Sequence, residues 1–323
     1  MRRGWAGPLV PVYWVGVAGK NWLYDRGVLG VRRLGWPVVS VGSLSAGGAG
    51  KTPVVLALAE LLGRQGVGVD VLSRGYGRGS AGVEEVDAAG SAGRFGDEPL
   101  ELARAGVRVF VGAERFEAGL AAEKKNAKCA KAEPRRSRRV HLLDDGFQHR
   151  RLGRDLDLVL LTAEDVGDSL LPGGNLREPL GALRRAGVIV VREEEVAGLR
   201  EVLERFRKEV WVIRREMVLP EGGVEGLLAF CGIARPEGFF GMLAGVKGTV
   251  AFGDHHVYGG ADVERLVREA ERVGARGFVT TAKDDVKITK EMRERLGSVV
   301  VAGLRVKFVD ESAVLRRFEG LLR

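Results

Sequence analysis

Residues 38–52 read Val-Val-Ser-Val-Gly-Ser-Leu-Ser-Ala-Gly-Gly-Ala-Gly-Lys-Thr, a β-branched run that enters a glycine-rich loop ending in Gly-Lys-Thr. An apolar helical pattern follows from Pro53, which suits the first turn of a helix because no N–H partner is lost there. In such a loop, backbone N–H groups turn towards phosphate oxygens, the lysine reaches the outer phosphates, and the threonine hydroxyl can bind Mg²⁺. The stretch therefore predicts a P-loop between a buried strand and a helix.

The loop departs from the strict P-loop pattern at one position, where Ser45 stands in place of the first glycine. Glycines at positions 47, 48 and 50 compensate for this change. We predict that nucleotide phosphates contact Ser45, Gly47, Gly48, Ala49, Gly50, Lys51 and Thr52. GTP-binding proteins carry Asn-Lys-x-Asp for guanine, and the nearest approach here, Thr-Ala-Lys-Asp at 281–284, lacks the asparagine. The sequence therefore favours ATP.

A second motif predicts the Mg²⁺ side of the site. The apolar run at residues 140–143 stops on the paired carboxylates Asp144 and Asp145. P-loop enzymes hold Mg²⁺ with a carboxylate at the end of a buried strand, and two adjacent carboxylates repel each other unless a cation is near. We therefore predict a metal site at Thr52, Asp144 and Asp145. A strand end that caps the next helix is the alternative.

The apolar runs predict the fold class. We expect strands at 38–41, 67–72, 107–111, 141–143, 157–161 and 188–191, with helices at 53–64, 99–105 and 115–125. Continuous Val/Ile/Leu runs are typical of parallel strands that are buried on both faces. The sequence thus predicts an α/β protein with a P-loop NTPase-like, mostly parallel sheet flanked by helices.

A polar stretch at residues 214–226 predicts a division of the chain. Beyond it, strands at 227–231, 249–252 and 277–280 and an amphipathic helix at 261–273 indicate a second, smaller α/β lobe. We expect four parts: a basic and aromatic arm at 1–36, the P-loop core at 37–215, the smaller lobe at 216–304, and a C-terminal segment at 305–323. The last part carries a helix from about residue 311 that returns to the core.

Composition excludes several classes of protein. The chain has 323 residues, of which 45% are hydrophobic and 29% charged, and this describes an ordinary globular protein. Its two cysteines, Cys129 and Cys231, have neither disulfide-framework nor zinc-ligand spacing. A reducing cytoplasm fits this pattern. We expect a monomer.

The N-terminal arm concentrates positive charge and aromatic rings. Residues 1–33 carry six Lys and Arg residues against Asp25 alone, a net of +5. The apolar stretch at 8–19 is too short to span a membrane. Five aromatic residues lie in the arm: Trp5, Tyr13, Trp14, Trp22 and Tyr24. Such a composition predicts an interfacial helix on an anionic membrane, the alternative being a helix that simply docks on the core.

A second basic cluster, at residues 124–139, contains eight Lys and Arg residues among sixteen. We interpret it as an exposed loop inserted before the Asp144–Asp145 strand. Nucleic-acid binders usually interleave aromatic residues with their basic patches or show a known binding module, and neither is present. We therefore expect no nucleic-acid partner.

Several further motifs occur in a fixed order along the chain. They are Ser73-Arg74-Gly75-Tyr76-Gly77, Gly96-Asp97-Glu98-Pro99, Asp144-Asp145-Gly146-Phe147-Gln148-His149, Leu171 to Pro179 (Leu-Pro-Gly-Gly-Asn-Leu-Arg-Glu-Pro), Gly232-Ile233-Ala234-Arg235-Pro236 and Asp254-His255-His256. Together with the P-loop, this set resembles the tetraacyldisaccharide 4′-kinases of lipid A synthesis from the aromatic arm to Asp284. Three positions depart from that family's usual pattern, with Ser43 for Asn, Gly253 for Pro and Ala282 for Glu, and the basic insert 124–139 lies outside it.

The resemblance implies a reaction and a place in the cell. It implies ATP- and Mg²⁺-dependent phosphorylation of the 4′-hydroxyl of a tetraacylated glucosamine disaccharide 1-phosphate. The acceptor is lipid-linked, and the work would occur at the cytoplasmic face of the inner membrane. The basic arm would bring the site to that surface.

The residues fit this chemistry. Transfer of a γ-phosphoryl group needs phosphate clamping, Mg²⁺ and a carboxylate that orients or deprotonates the hydroxyl. We predict Asp97 as that base, with His255 or His256 as its partner, and Lys51 and Arg177 as the groups that offset phosphate charge. Glu178 is a further candidate metal ligand. Candidate contacts to the acceptor are Arg74, Gln148 and Asn175.

Two other interpretations remain open at this stage. One is another P-loop ATPase or small-molecule kinase with a soluble acceptor, which has no need of the aromatic and basic arm. The other is a nucleotide-gated binding protein without a chemical acceptor, which has no use for Asp97 or for the Asp-His-His triplet.

Overall fold

A computed structural model describes residues 4–130 and 138–322, without the side chains of residues 4–6 and 128–130. Its strands are β1 (Val38–Ser43), β2 (Gly68–Ser73), β3 (Glu84–Glu85), β4 (Arg108–Val111), β5 (Arg139–Asp144), β6 (Leu156–Leu160), β7 (Val188–Arg192), β8 (Glu209–Val218), β9 (Leu228–Cys231), β10 (Gly248–Ala251), β11 (Phe278–Thr281) and β12 (Val299–Phe308). Its α-helices are α1 (Val10–Asp25), α2 (Lys51–Arg64), α3 (Ala92–Phe95), α4 (Asp97–Arg104), α5 (Arg115–Ala130), α6 (Ala163–Val166), α7 (Val196–Phe206), α8 (Pro236–Phe240), α9 (Gly260–Val273), α10 (Ala282–Asp285), α11 (Lys290–Leu296) and α12 (Glu311–Leu321).

These strands form one sheet in the order β10-β9-β11-β12-β8-β7-β6-β1-β5-β2-β4-β3. The P-loop strand β1 lies inside the sheet, parallel to β5 and β6, and all six of its residues are buried. Helices cover the sheet because its strands are apolar on both faces. The predicted fold class, a mostly parallel sheet flanked by helices, is confirmed.

Two long strands that the sequence analysis missed join the halves of the sheet. Strand β8 is parallel to β7 but antiparallel to β12, and β12 in turn is parallel to β11. The polar stretch that we expected from residue 214 onwards begins inside β8, where Arg214, Arg215 and Glu216 pair with β12. The strand was not predicted because three consecutive charged residues show neither the apolar run nor the alternation that indicates a strand.

The predicted boundaries between parts fall within these strands. The 215/216 boundary lies inside β8, and the 304/305 boundary lies inside β12. Side chains of α12, Val314 and Phe318, belong to the same buried cluster as Val39 of β1 and Val54 of α2. A separate buried cluster, which includes Phe230, packs β9 and β10 against α9.

The start of the basic insert is helical. Residues 124–130 continue α5, which ends at Ala130, so the expectation of a loop was wrong there. Alanine and lysine are strong helix formers, and this explains the extension. The remainder, residues 131–137, lies outside the described residues.

The arm forms a 3₁₀ turn (Gly4–Leu9) followed by α1. Tyr24 at the end of α1 is buried against the core, whereas a set of large apolar side chains is exposed: Leu9, Val12, Trp14, Val15 and Trp22. Among the described residues, no helix is long and apolar enough to cross a membrane.

Candidate active site

The P-loop lines a cavity of about 1090 Å³ between the two halves of the sheet. Gly48 and Gly50 have φ of 69° and 86°, in the left-handed region that favours glycine, so the chain can reverse and start α2 at Lys51. The free N–H groups at the start of α2, a helix of 14 residues, face an anion site. Six of the seven predicted phosphate contacts line the cavity, and the seventh, Ser45, is buried beside it.

Asp145 connects two cations beside the loop. Its Oδ2 accepts a hydrogen bond from Arg177 Nη1 at 2.6 Å, and its Oδ1 lies 3.4 Å from Lys51 Nζ. Burial alone would raise the pKa of Asp145, but Lys51 and Arg177 together lower it below its ordinary value. The carboxylate is therefore ionised at neutral pH.

Asp144, at the end of β5, is in a different state from its neighbour. It is buried, and Ser73 Oγ donates to its Oδ2 at 3.4 Å. Burial and the negative charges of Glu98 and Asp145 raise the pKa of Asp144 to about 7. A carboxylate that titrates this high favours a nearby cation.

These donors fit Mg²⁺. Asp145 Oδ1 is buried and accepts no hydrogen bond within the described residues, and the Thr52 hydroxyl and Asp144 line the same cavity. Mg²⁺ is usually bound by one or two carboxylates together with substrate phosphates and water. The described residues contain no group of three or more His, Cys, Asp and Glu side chains that could hold a metal by themselves, which is consistent with a site that the nucleotide completes.

Asp97 and His255 meet beside the cavity, which His255 lines and behind which Asp97 is buried. Asp97 begins α4, and its Oδ2 lies 2.9 Å from Nδ1 of His255, on the loop after β10. The other carboxylate oxygen accepts from the Glu98 N–H at 3.0 Å. Burial raises the pKa of Asp97, but the hydrogen bond from His255 and the charge of Lys283 lower it more. Asp97 is therefore ionised, and hydrogen bonds to both of its oxygens fix its orientation.

The structure distinguishes the two predicted histidines. His256 Nε2 lies 3.0 Å from Asp262 Oδ2, and its ring stacks on Phe252 at 4.7 Å. His256 thus faces away from Asp97, within the second half of the chain. Only His255 occupies the position that we predicted for the partner of Asp97.

Two predicted side chains line the cavity as expected. Gln148 donates to the Ser43 carbonyl oxygen at 3.0 Å and lies beside Arg177. Arg74, after β2, is exposed at the rim of the same cavity.

Two others do not reach it. Glu178 accepts two hydrogen bonds from Arg185, at 2.8 and 3.0 Å, and a third from Asn21 of α1 at 2.7 Å. This carboxylate is buried and paired outside the residues that line the cavity, so its role as a metal ligand stays a prediction that the geometry does not favour. Asn175 is exposed outside the cavity, where its backbone oxygen accepts from the Ala46 N–H. Its backbone thus contacts the P-loop, and its contact to the acceptor stays a prediction.

Sequence reasoning missed several cavity residues. Lys283, at the start of α10, lies 3.3 Å from Asp254 and 3.4 Å from both Glu98 and His255 Nε2. Arg235 crosses the P-loop so closely that a Cβ at Gly48 would lie 2.8 Å from its Nε. The strand-end positions of Lys283 and Arg235 were a signal that could have found them, whereas Arg115, buried at the start of α5, carries no such signal.

Part of the cavity wall is apolar. Its lining side chains come mainly from β8, β12 and α8, and they are Ile213, Met217, Phe239, Met242, Leu304 and Val306. The cavity therefore combines a charged part, which suits phosphates, with an apolar part of the kind that ligand sites use for aromatic groups.

Comparison with known proteins identifies the family. The family model of tetraacyldisaccharide-1-P 4′-kinase (LpxK) matches residues 5–323. A tetraacyldisaccharide 4′-kinase of Koribacter versatilis is 43% identical over 322 residues, which cover 95% of this chain and 96% of the relative. One of Geobacter metallireducens is 38% identical, with 89% and 88% covered. A crystal structure of LpxK from Aquifex aeolicus in complex with ATP is 32% identical and aligns with a TM-score of 0.76 over 99% of both chains.

Both the motifs and the fold thus agree with these matches over nearly the whole length. The chain belongs to the tetraacyldisaccharide 4′-kinase family.

Proposed function

We propose that this protein transfers the γ-phosphoryl group of ATP to the 4′-hydroxyl of a tetraacylated glucosamine disaccharide 1-phosphate, which gives the 1,4′-bisphosphate. The observation that carries the proposal is a single cavity lined by both the P-loop and His255, whose Nδ1 lies 2.9 Å from the buried Asp97 carboxylate. A nucleotide-gated binding protein would need the first of these but not the second. Family membership supports the choice of a lipid-linked acceptor.

The P-loop, Lys51 and Arg177 bind the phosphates and offset their charge. Backbone N–H groups of the loop and the start of α2 hold phosphate oxygens, and Lys51 reaches the outer phosphates. Arg177 lies on the other side of Asp145 and offsets charge on the transferring group. These groups are fixed by ion pairs before the reaction, so little reorganisation is needed.

Mg²⁺ would be held by Thr52 and Asp145, with Asp144 beside them. When bound, it would neutralise charge on the phosphate oxygens. The ion pairs from Lys51 and Arg177 to Asp145 keep this carboxylate ionised and oriented.

Asp97 takes the proton of the acceptor hydroxyl. A carboxylate whose pKa lies below its ordinary value is ionised at neutral pH and can accept a hydrogen bond from the hydroxyl. The proton moves from the hydroxyl oxygen to the carboxylate as the new oxygen–phosphorus bond forms, while the bond between the γ-phosphorus and the β–γ bridging oxygen breaks and ADP leaves with that electron pair. His255 donates to Asp97 through Nδ1 and holds the carboxylate in place.

The acceptor enters beside α1 and the rim of the cavity. Arg74 is placed to pair with an anionic group of the acceptor, and Gln148 to hydrogen-bond a sugar hydroxyl. Lys20 of α1 lines the same cavity and donates to the Gln148 carbonyl oxygen at 3.3 Å. The arm therefore adjoins the acceptor side of the site.

Membrane contact follows from the exposed face of α1. Val12 and Val15 are 69% and 61% exposed, and Trp14 and Trp22 about half exposed. An amphipathic surface of this type, with Lys20 and Arg26 nearby, lies in the headgroup region of an anionic membrane. We propose that the protein is a peripheral enzyme at the cytoplasmic face of the inner membrane, a place that membership of a lipid A pathway family supports.

A transfer assay tests the proposal. The protein is incubated with γ-³²P-ATP, Mg²⁺ and the tetraacyldisaccharide 1-phosphate in mixed micelles, and the lipid is extracted. Label in the lipid that depends on protein, acceptor and Mg²⁺ supports it. Nucleotide binding without labelled lipid overturns the choice of acceptor.

A further inference from the structure

Lys283 has no role in the function described so far, although it lies at the centre of the groups around His255. Its side chain is mostly buried, and its ammonium contacts three side chains on two elements. Those contacts are Glu98 on α4 and both Asp254 and His255 on the loop after β10. A lysine held in this way has little freedom to serve any other partner.

The surroundings of His255 restrict which of its ring nitrogens carries a proton. Nδ1 lies 2.9 Å from Asp97 Oδ2, and an ionised carboxylate can only accept, so Nδ1 must donate. Nε2 lies 3.4 Å from Lys283 Nζ, and an ammonium group can only donate, so Nε2 must accept. Asp254 is the competing acceptor for a proton on Nε2, but its Oδ2 is 3.8 Å away, beyond hydrogen-bond distance.

We propose that Lys283 is a positioning residue that donates to Nε2 of His255, keeps that nitrogen unprotonated, and so holds the ring in the neutral form whose single proton on Nδ1 points at Asp97. This inference rests on the proposed proton-transfer role of Asp97. The second nitrogen of a histidine commonly sets the state of the first in this way.

Electrostatics act in the same direction. The hydrogen bond to Asp97 raises the pKa of His255, whereas burial and the positive charge of Lys283 oppose that rise. Loss of Lys283 would therefore favour the imidazolium. Lys283 also lowers the pKa of Asp97, so its charge favours the working state of both members of the pair.

Other charged groups lie around Lys283 and His255. From α4, Glu98 pairs with Lys283, and burial raises the pKa of Glu101 to about 8. From the start of α10 and the turn after it, Asp284 and Lys287 form a buried ion pair with 2.8 Å between Oδ1 and Nζ. Asp284 also accepts from Gly232 N–H and Tyr258 OH, which fixes the loops on either side of His255. Lys283 is the cation that contacts the His255 ring among the described residues.

The test is a ¹⁵N NMR titration of the full-length protein labelled at histidine. The chain contains four histidines, and a His255→Gln variant assigns the signals. Wild type is compared with Lys283→Met, with Lys283→Arg to keep the charge, and with Lys290→Met as a control on an exposed lysine. If Lys283→Met does not fold, Lys283→Gln replaces it, because glutamine is neutral and of similar length.

In wild type, Nε2 should show the shift of an unprotonated nitrogen in neutral His255. In the neutral variant Lys283→Met, Nε2 should carry a proton up to higher pH, so the titration midpoint should move to higher pH. Lys283→Arg and Lys290→Met should match wild type. The kcat of Lys283→Met should fall about tenfold, because a general base that is poorly oriented contributes less to the rate. The KM for ATP should change little. Unchanged protonation of Nε2 and an unchanged midpoint in Lys283→Met would overturn the inference.

This experiment separates the inference from the proposed function. The NMR titration reports the tautomer whether or not the protein phosphorylates a lipid. Full activity in Asp97→Asn would contradict the proposed role of the pair and leave the NMR result in place.

Discussion

Nδ1 of His255 lies 2.9 Å from Oδ2 of Asp97, although 158 residues separate them along the chain. Asp97 belongs to the half of the sheet that carries the P-loop, and His255 to the half beyond the antiparallel β8–β12 pair. The contact therefore joins the two halves at the cavity. This contact orients a candidate base and also holds the two halves of the sheet together beside the cavity.

The two neighbouring histidines provide a matched pair of variants. We expect His255→Ala to lower kcat by about 100-fold, because Asp97 loses its partner and its aim. His256→Ala should leave kcat within about threefold, because His256 pairs with Asp262 and stacks on Phe252. Steady-state kinetics measure both. Equal losses of activity in the two variants would contradict the assignment.

Lys51→Ala should abolish detectable transfer, a fall in kcat of at least about 100-fold, since the P-loop lysine offsets charge in the transition state. The matched control is Lys290→Ala, whose side chain is 86% exposed. Circular dichroism should show that both variants are folded. Substantial transfer by Lys51→Ala would mean that the phosphates lie elsewhere.

Glu178 and Asp145 differ in their expected response to Mg²⁺. Asp145→Asn should raise the Mg²⁺ concentration needed for half-maximal activity, because it removes the predicted metal ligand. Glu178→Gln should leave that concentration unchanged but destabilise the protein by about 3 kcal/mol, because Arg185 loses a buried partner. Mg²⁺ titrations and thermal melts distinguish the two. A Mg²⁺ shift in Glu178→Gln would restore it as a ligand.

The Asp97–His255 pair predicts a pH window for stability. The pKa of Asp97 is lowered from 3.8 in the folded protein. Its contribution to the free energy of unfolding is therefore complete above pH 3.8 and is lost as the pH falls through the folded-state pKa. The pKa of His255 is raised from 6.5 in the folded protein. Its contribution to the free energy of unfolding is therefore complete below pH 6.5 and is lost as the pH rises through the folded-state pKa. The Tm difference between wild type and Asp97→Asn should therefore be largest between pH 3.8 and 6.5. A difference that grows above this window would contradict the pairing.

The exposed face of α1 should govern membrane binding. Trp14→Ser combined with Val15→Ser should weaken binding to anionic vesicles by roughly tenfold or more, since each buried apolar side chain contributes about 1.5 kcal/mol or more. Val257→Ser is the control, because Val257 is 83% exposed on the other half of the molecule. Vesicle co-sedimentation measures the effect. Unchanged binding by the double variant would exclude α1 as the contact.

Local motifs and apolar periodicity made the P-loop, the Asp144–Asp145 strand end and about half of the helices predictable. The β8–β12 pair was not predictable in the same way, because its polar outer positions are stabilised only by a partner strand about ninety residues away in sequence. Nor could sequence choose between His255 and His256, since the direction of each ring depends on a left-handed backbone at His255, with φ of 57°. Glu178 looked like a metal ligand because its partner Arg185 is not part of any motif.

The most direct test of the account is single-turnover ³²P transfer by Asp97→Asn, alongside equilibrium binding of ATP. Asparagine is close in size to aspartate but cannot take up the hydroxyl proton. The account predicts that the variant binds ATP within about threefold of wild type, while phosphoryl transfer to the tetraacyldisaccharide 1-phosphate slows by about 100-fold or more. Transfer at the wild-type rate, with ATP binding intact, would contradict the central claim that Asp97 is the base.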